Sequence, residues 1–163
     1  MIAGVFDQFL GVPTHPLAVH APLVLIPIAT VVAIVFVVRA DWRRRVGWFA
    51  PAIVLVFVGM LFVAKESGEA AEDADNVIGD IDLHEDLAES TFTLAIIWFV
   101  LTLALAVWDR VGVERVRSLS AGAATRQDRI GLVLSAVTAI AAVVTTIWLL
   151  RTGHAGSESR WKI

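Results

Sequence analysis

The sequence contains no cysteine. This absence excludes disulfides, thiolate metal sites and cysteine-ligated iron–sulfur clusters within the chain. Any metal ion bound by this chain must therefore be held by histidine, carboxylate or carbonyl groups.

Charge is also scarce, because charged residues make up 18% of the chain and the formal net charge is -3. No basic patch or arm is present, so we expect no nucleic-acid partner. The chain lacks a nucleophile elbow, a phosphate loop and a dinucleotide fingerprint, which favours an electron-transfer or metal-binding protein over an enzyme. The first twelve residues carry Asp7 without a basic start or a cleavage signature, which predicts no signal peptide.

The chain is instead rich in long apolar segments. Hydrophobic residues make up 58% of it and the mean hydropathy is +0.77, which is too apolar for an ordinary soluble domain. Crossing a hydrocarbon core of about 30 Å takes about 20 apolar residues in a helix. We therefore predict an all-α integral membrane protein, a single domain over residues 1–163 that forms a four-helix transmembrane bundle in the lipid bilayer. The predicted spans are about 17–38, 46–64, 91–108 and 130–150.

Basic residues predict the orientation of the bundle. The connections 39–45 and 109–129 hold nine of the 13 lysines and arginines, namely Arg39, Arg43, Arg44, Arg45, Arg110, Arg115, Arg117, Arg126 and Arg129. The positive-inside rule places both connections in the cytoplasm. The acidic connection 65–90 and both termini then face outward from a bacterial cytoplasmic (inner) membrane.

The connections also differ in predicted structure. Glycine, serine and arginine in 109–129 predict a mobile surface loop, whereas the acidic connection 65–90 is expected to extend both flanking helices around a turn at 76–80. On the last span, Ser135, Ala139 and Ala142 form a small-residue face that predicts close packing within the bundle.

All four histidines lie on the predicted outer side, at His15, His20, His84 and His154. At 1.5 Å per residue, three of them are about 36 to 38 Å from the inner charged residue of their helix. His15, His84 and His154 therefore share one level, with His20 about 7 Å deeper. A polar group within an apolar span is a functional candidate by default.

These histidines, with Glu69 and Glu85 as further ligands or orienting partners, form the predicted site. Imidazoles combined with carboxylates suit zinc, copper, nickel or iron, and two opposed imidazoles suit haem b. The leading hypothesis is an extracytoplasmic site for a transition metal or haem b, with a redox or metal-handling role in the cell envelope.

Each candidate residue also has a purely structural interpretation. His15 taken alone would be an ordinary surface-loop histidine that precedes a proline. His20 would hydrogen-bond a carbonyl freed by Pro22 or Pro27. His84 and Glu85 would lie on a solvated helical face, as would Glu69. His154, between Gly153 and Gly156, would cap the end of the last helix.

Two other functions remain open. The first is a non-catalytic accessory subunit of a larger respiratory membrane complex, in which the acidic loop docks other membrane or redox subunits. The second is a small transporter or proton-linked channel that uses His20. No aspartate, glutamate, lysine or arginine falls in the interior of any predicted span, which argues against a charged path.

Four short stretches carry a family resemblance: His15 to Pro22, Ser67-Gly68-Glu69, His84-Glu85, and Gly153 to Gly156. In these motifs the chain resembles a bacterial family of predicted membrane proteins catalogued as domain of unknown function 2231. The resemblance implies a four-span membrane domain, joined in some relatives to a Rieske-type iron–sulfur domain. It therefore favours a redox or metal role, by analogy.

Overall fold

The structure, a computed structural model, describes the backbone of residues 8–9, 12–73, 82–116 and 121–161, and the side chains of residues 14–70, 82–112 and 129–157. Within these ranges the chain is helical apart from one short strand pair. The elements are β1 (Gln8–Phe9), β2 (Val12–Pro13), α1 (Thr14–Val38), α2 (Ala40–Val46), α3 (Phe49–Asp73), α4 (Asp82–Val116) and α5 (Ala121–Trp161).

Four of the helices are long and apolar enough to cross a membrane, which confirms the predicted all-helical, four-span architecture. Their candidate spans are Thr14–Val38, Phe49–Ala70, Asp82–Gly112 and Arg129–Ser157. The strands were not predicted: they pair antiparallel, with Gln8 opposite Pro13, immediately before α1.

The four long helices form a closed ring. Helix α1 packs against α3 and α5, and α4 packs against the same two helices. The short helix α2 contacts α1 and α4. Each end of the bundle therefore brings together four helix ends.

The surface and the interior of the bundle have the composition expected of a membrane protein. Large apolar side chains such as Val24, Val31 and Ile140 are exposed. Small and hydroxyl residues are buried, including the predicted packing face of Ser135, Ala139 and Ala142. Such residues let helix backbones approach closely, which is the main source of helix association in lipid.

The centre of the bundle is built around Trp98. Its indole is 2% exposed and stacks on Phe57 of α3, with ring centroids 6.1 Å apart. Nearby, the Thr30 hydroxyl donates to the Ala142 carbonyl at 3.2 Å and lies 2.7 Å from Thr146 Oγ1, which links α1 to α5. Polar contacts therefore cross the interior of the bundle.

A buried ion pair closes the end of the bundle at which α2 lies, here called the arginine end. Arg43 of α2 is 5% exposed, and its Nε and Nη2 donate to the two carboxylate oxygens of Asp109 at 2.7 and 2.9 Å. A third donor, Nη1, reaches the Phe36 carbonyl of α1 at 3.4 Å. The guanidinium thus joins α1, α2 and α4.

The predicted connections need correction, because helix replaces loop in both basic segments. Residues 40–46 form α2, in which Asp41 in the first turn and the arginines in the last turn suit the helix dipole. The prediction of a mobile loop at 109–129 is wrong over its described part, since α4 continues to Val116 and α5 begins at Ala121. Arginine and alanine are good helix formers, and a helix outside the lipid can keep its charges in water.

On the acidic side, the predicted extension of both helices is confirmed. Helix α3 runs to Asp73 and α4 begins at Asp82. The predicted turn at 76–80 lies outside the described residues. The Gly47 turn between α2 and α3 has φ +51°, a left-handed conformation that glycine adopts without strain.

Removing one member of the Arg43–Asp109 pair should destabilise the bundle strongly. We expect Asp109→Leu alone to lower the free energy of unfolding by about 3 to 5 kcal/mol, because the Arg43 guanidinium then stays buried without its carboxylate. Arg43→Met should also destabilise the bundle but by less, since Arg44 Nε lies 3.8 Å from Asp109 Oδ1 and remains as a counterion. The double variant should lose less than either single variant. Unfolding in mixed detergent micelles measures these free energies. Arg45 is exposed, so Arg45→Met is the control, and its free energy of unfolding should stay within about 0.5 kcal/mol of that of the unmodified protein. Equal losses for Arg43→Met and Arg45→Met would contradict the assignment.

Candidate functional site

His15 lies at the start of α1 and is held by α3. Its ring is half-buried, and Nδ1 lies 3.0 Å from the Ala64 carbonyl oxygen and 3.3 Å from Ser67 Oγ. Ser67 itself donates to the Ala64 carbonyl at 2.9 Å. A carbonyl oxygen only accepts, so in the neutral imidazole Nδ1 carries the hydrogen and Nε2 carries the lone pair.

His84 is held in the same way by the other pair of helices. It lies in the first turn of α4, and its Nδ1 is 2.9 Å from the Thr152 carbonyl oxygen of α5. The same reasoning places the hydrogen of the neutral ring on Nδ1 and the lone pair on Nε2.

Hydroxyl groups join α4 and α5 one turn further in. Thr91 and Thr152 place their Oγ1 atoms 2.9 Å apart, and each also lies within hydrogen-bond distance of a carbonyl of its own helix. Because a hydroxyl has a single hydrogen, one of the two donates across to the other helix when it does not donate to its own carbonyl. This contact sets the separation of the two helices beneath His84.

The two imidazoles meet at this end of the bundle, here called the histidine end. Their ring centroids are 6.1 Å apart and their planes are at 89°, an edge-to-face contact. Because His15 bonds to α3 and His84 bonds to α5, the pair links all four long helices.

Glycine provides the room for each ring. A methyl group at Gly68 would lie 3.2 Å from Cε1 of His15, and one at Gly156 would lie 2.8 Å from Cε1 and 2.9 Å from Nδ1 of His84. Gly153 is likewise in contact with Leu23. Gly153 and Gly156 do not end the last helix as predicted, because α5 continues to Trp161. Close packing explains them better than capping does.

His20 does not belong to the histidine pair. It is exposed, and its Nδ1 hydrogen-bonds with the Pro16 carbonyl one turn earlier in α1. That carbonyl is not one that Pro22 or Pro27 would free, so the predicted partner was wrong. Five residues of helix rotate His20 about 140° around the axis from His15, which turns it away from the pair.

The remaining predicted site residues are exposed as well. His154 is two residues from Gly156, about 200° around α5. Glu69 is 52% exposed and pairs with Lys65, and Glu85 is exposed beside His84. Within the part of the chain that the structure describes, no three histidine, aspartate or glutamate side chains form a group that could hold one metal ion. Of the six predicted residues, the structure brings together His15 and His84.

Sequence reasoning missed the hydroxyl residues of the site, Ser67, Thr91 and Thr152. A signal for one of them is present in α5, where Thr138, Thr145 and Thr152 recur every seven residues. All three donate to the carbonyl four residues earlier, at 2.8 to 2.9 Å. A seven-residue repeat of this kind marks one buried face of a helix.

The chain matches one known protein family. A family model described as "Predicted membrane protein (DUF2231)" matches residues 11–163. The chain belongs to this family. Neither a curated protein nor a solved structure matches the chain. With four helices of membrane-spanning length, this DUF2231 member is a multi-pass membrane protein in contact with the lipid bilayer.

The motifs through which the sequence resembles DUF2231 proteins meet in space. His15 contacts Ser67 and adjoins Gly68, and His84 adjoins Gly156. Motifs that lie far apart in the chain therefore build one end of the bundle, which makes the histidine end the candidate functional site.

Adding a methyl group at Gly156 should displace His84. We expect Gly156→Ala to cost about 1 to 3 kcal/mol in the free energy of unfolding, because the new Cβ would overlap the imidazole. Gly59→Ala is the matched control: a methyl group there meets nothing within 4 Å, so it should be neutral or stabilise α3 by up to about 1 kcal/mol.

A second variant tests the cause of this loss. In a His84→Ala background, Gly156→Ala should cost much less, since the ring that it displaces is gone. Free energies of unfolding of the unmodified protein, the two single variants and the double variant give the coupling energy between Gly156 and His84. Additive losses would contradict the proposed contact.

Proposed function

We propose that His15 and His84 form a two-imidazole site for a transition-metal ion, zinc, copper or iron, in a protein with a redox or metal-handling role in the cell envelope. The supporting observation is the pair of carbonyl contacts at Nδ1, 3.0 Å for His15 and 2.9 Å for His84. Metal-binding histidines commonly donate one ring nitrogen to a carbonyl or carboxylate, which orients the other nitrogen toward the ion.

The separation of the rings supports the same proposal. Two imidazole nitrogens at about 2 Å from one ion place the ring centroids roughly 5 to 6 Å apart. The observed separation is 6.1 Å. To share one ion, both rings would rotate away from the edge-to-face contact and direct their Nε2 atoms at it.

A haem b at this position is less well supported. A macrocycle would have to lie between the two rings, whereas the edge of one ring packs directly against the face of the other. We therefore favour an ion. Its remaining coordination positions would be taken by water, or by the exposed side chains of Glu69, Glu85 or His154 after rotation.

The proposed orientation places this site outside the cytoplasm, with both termini on the same side, in a bacterial cytoplasmic (inner) membrane. Its support is the clustering of Arg39, Arg43, Arg44 and Arg45 in and beside α2, at the end of the bundle opposite the histidine pair. Arginine-rich connections are retained in the cytoplasm.

One observation favours a second candidate function, an accessory subunit of a larger membrane complex. The hydrogen bonds of His15 to α3 and of His84 to α5 tie the helices together without any metal. In that case the pair maintains the shape of a surface that docks other membrane or redox subunits, and the acidic segment between α3 and α4 provides the docking charge.

Metal titration separates the two functions. The protein, purified in detergent and stripped with a chelator, is titrated with Co²⁺, Zn²⁺ and Cu²⁺, following Co²⁺ by its visible absorption and the others by calorimetry. We expect one ion per chain. His15→Ala and His84→Ala should each weaken binding by more than about tenfold, because each removes a direct ligand.

Two controls keep this test specific. His20→Ala and His154→Ala remove exposed imidazoles and should leave the affinity unchanged. His84→Asn places an amide N–H donor where Nδ1 bonds the Thr152 carbonyl, so it should remain folded yet bind the ion weakly. A folded protein that takes up no metal, or binds it equally in all four alanine variants, would refute the metal site and favour the accessory subunit.

A further inference from the structure

A cavity of about 240 Å³ lies inside the bundle at the arginine end. All five helices contribute to its walls, which are almost entirely apolar. The indole of Trp98 lines it, and the paired side chains of Arg43 and Asp109 lie on its border. It is separate from the histidine pair, whose residues do not line it.

One polar group in the cavity wall, the Ser135 hydroxyl, has no hydrogen-bond partner among the described residues. Ser135 is 1% exposed, and its Oγ makes no hydrogen bond within the part of the chain that the structure describes. The other hydroxyls of the wall behave differently: Thr102 donates to the Trp98 carbonyl and Thr138 to the Leu134 carbonyl, both at 2.8 Å. Buried hydroxyls are rarely left unpaired. The Ser135 hydroxyl is therefore a donor available to a molecule in the cavity.

The electrostatics of the cavity favour an uncharged occupant. The Arg43 guanidinium is neutralised by Asp109 through two hydrogen bonds. The rest of the wall offers no counterion, and an unpaired charge is costly to bury. A charged head group would have to break the ion pair to find a partner.

The size of the cavity limits the occupant further. A dry apolar cavity of about 150 Å³ accommodates benzene, so 240 Å³ has room for a molecule with roughly two fused rings. Water is a poor occupant, because a buried water needs two to four polar partners and these walls supply few.

Access is from the lipid side. Two of the lining residues, Val32 of α1 and Ile53 of α3, are 44% and 49% exposed. The cavity therefore reaches the apolar outer surface between these two helices, where a molecule dissolved in the bilayer would meet it.

We propose that this cavity binds an uncharged, lipid-soluble carbonyl compound with a ring system of naphthoquinone size, which enters between α1 and α3 and accepts a hydrogen bond from Ser135. A quinone ring fits each property of the site: it is flat and neutral, dissolves in lipid, and carries carbonyl acceptors without a donor that would need its own partner.

The test uses 1,4-naphthoquinone as the probe and naphthalene as the matched hydrocarbon without carbonyls. Binding to the full-length protein in detergent is followed by quenching of tryptophan fluorescence, and Trp98→Phe should remove most of the saturable quenching. Because the chain has no cysteine, thiol addition to the quinone cannot imitate binding. Partition into the micelle is the same for every variant, so differences between variants report the site.

We expect Ser135→Ala to weaken naphthoquinone binding about threefold to tenfold, the effect of losing one hydrogen bond, and to leave naphthalene binding unchanged. Ala106→Phe should abolish binding of both by filling the cavity, and Ala33→Leu narrows the same space if that variant does not fold. Exposed Ser90→Ala is the matched control and should have no effect.

Two results would overturn the proposal. Equal losses for the two probes in Ser135→Ala, or no loss for either, would show a cavity that serves only as packing space for lipid chains. Binding that persists in both cavity-filling variants would place the quinone elsewhere. Neither result bears on metal binding at the histidine end.

Discussion

The bundle depends on one constraint, which is that apolar side chains gain little by leaving lipid for a protein interior. Close packing and polar contacts must therefore hold the four long helices together. Small and hydroxyl residues do this along the middle, where Thr30 bonds across to α5 and Ala142 is fully buried. At the ends, the histidine pair joins α1, α3, α4 and α5, and the Arg43–Asp109 pair joins α1, α2 and α4. Both side-chain pairs consist of ionisable groups that lie where the helices leave the apolar core.

On the proposed metal function, the contacts that hold the histidine end would also orient its imidazoles for ligation. A carbonyl that accepts from Nδ1 anchors the ring to a neighbouring helix and, at the same time, fixes the neutral tautomer that carries a lone pair on Nε2. Gly68 and Gly156 permit this by leaving space beside each ring. At the arginine end, neutralising a buried arginine leaves an uncharged cavity. On the two proposals, the contacts that stabilise each end of the bundle also shape the binding site there.

From the sequence one could predict how far along its helix each residue lies, but not the direction in which its side chain points around the helix axis. Apolar run lengths predicted the four spans, and the rise per residue predicted a common level for His15, His84 and His154. Only two of these meet, because rotation around the helix turns His154 about 200° from Gly156. The prediction that Gly153 and Gly156 end the last helix was also wrong. Both lie within α5, where close packing against Leu23 and His84 requires glycine. The Ser135 cavity was not predictable, since its walls come from five helices whose relative rotation the sequence does not state.

In the proposed metal site, His15 and His84 ligate one ion through Nε2 while Nδ1 stays bonded to the main chain. The most direct measurement is pulsed electron paramagnetic resonance of the Cu²⁺-loaded protein, in which the remote nitrogen of each coordinated imidazole modulates the electron spin echo. We predict modulation from two equivalent imidazoles, reduced to one in His84→Asn and unchanged in His154→Ala. Copper bound without imidazole modulation, or modulation that His84→Asn leaves intact, would contradict ligation by this pair.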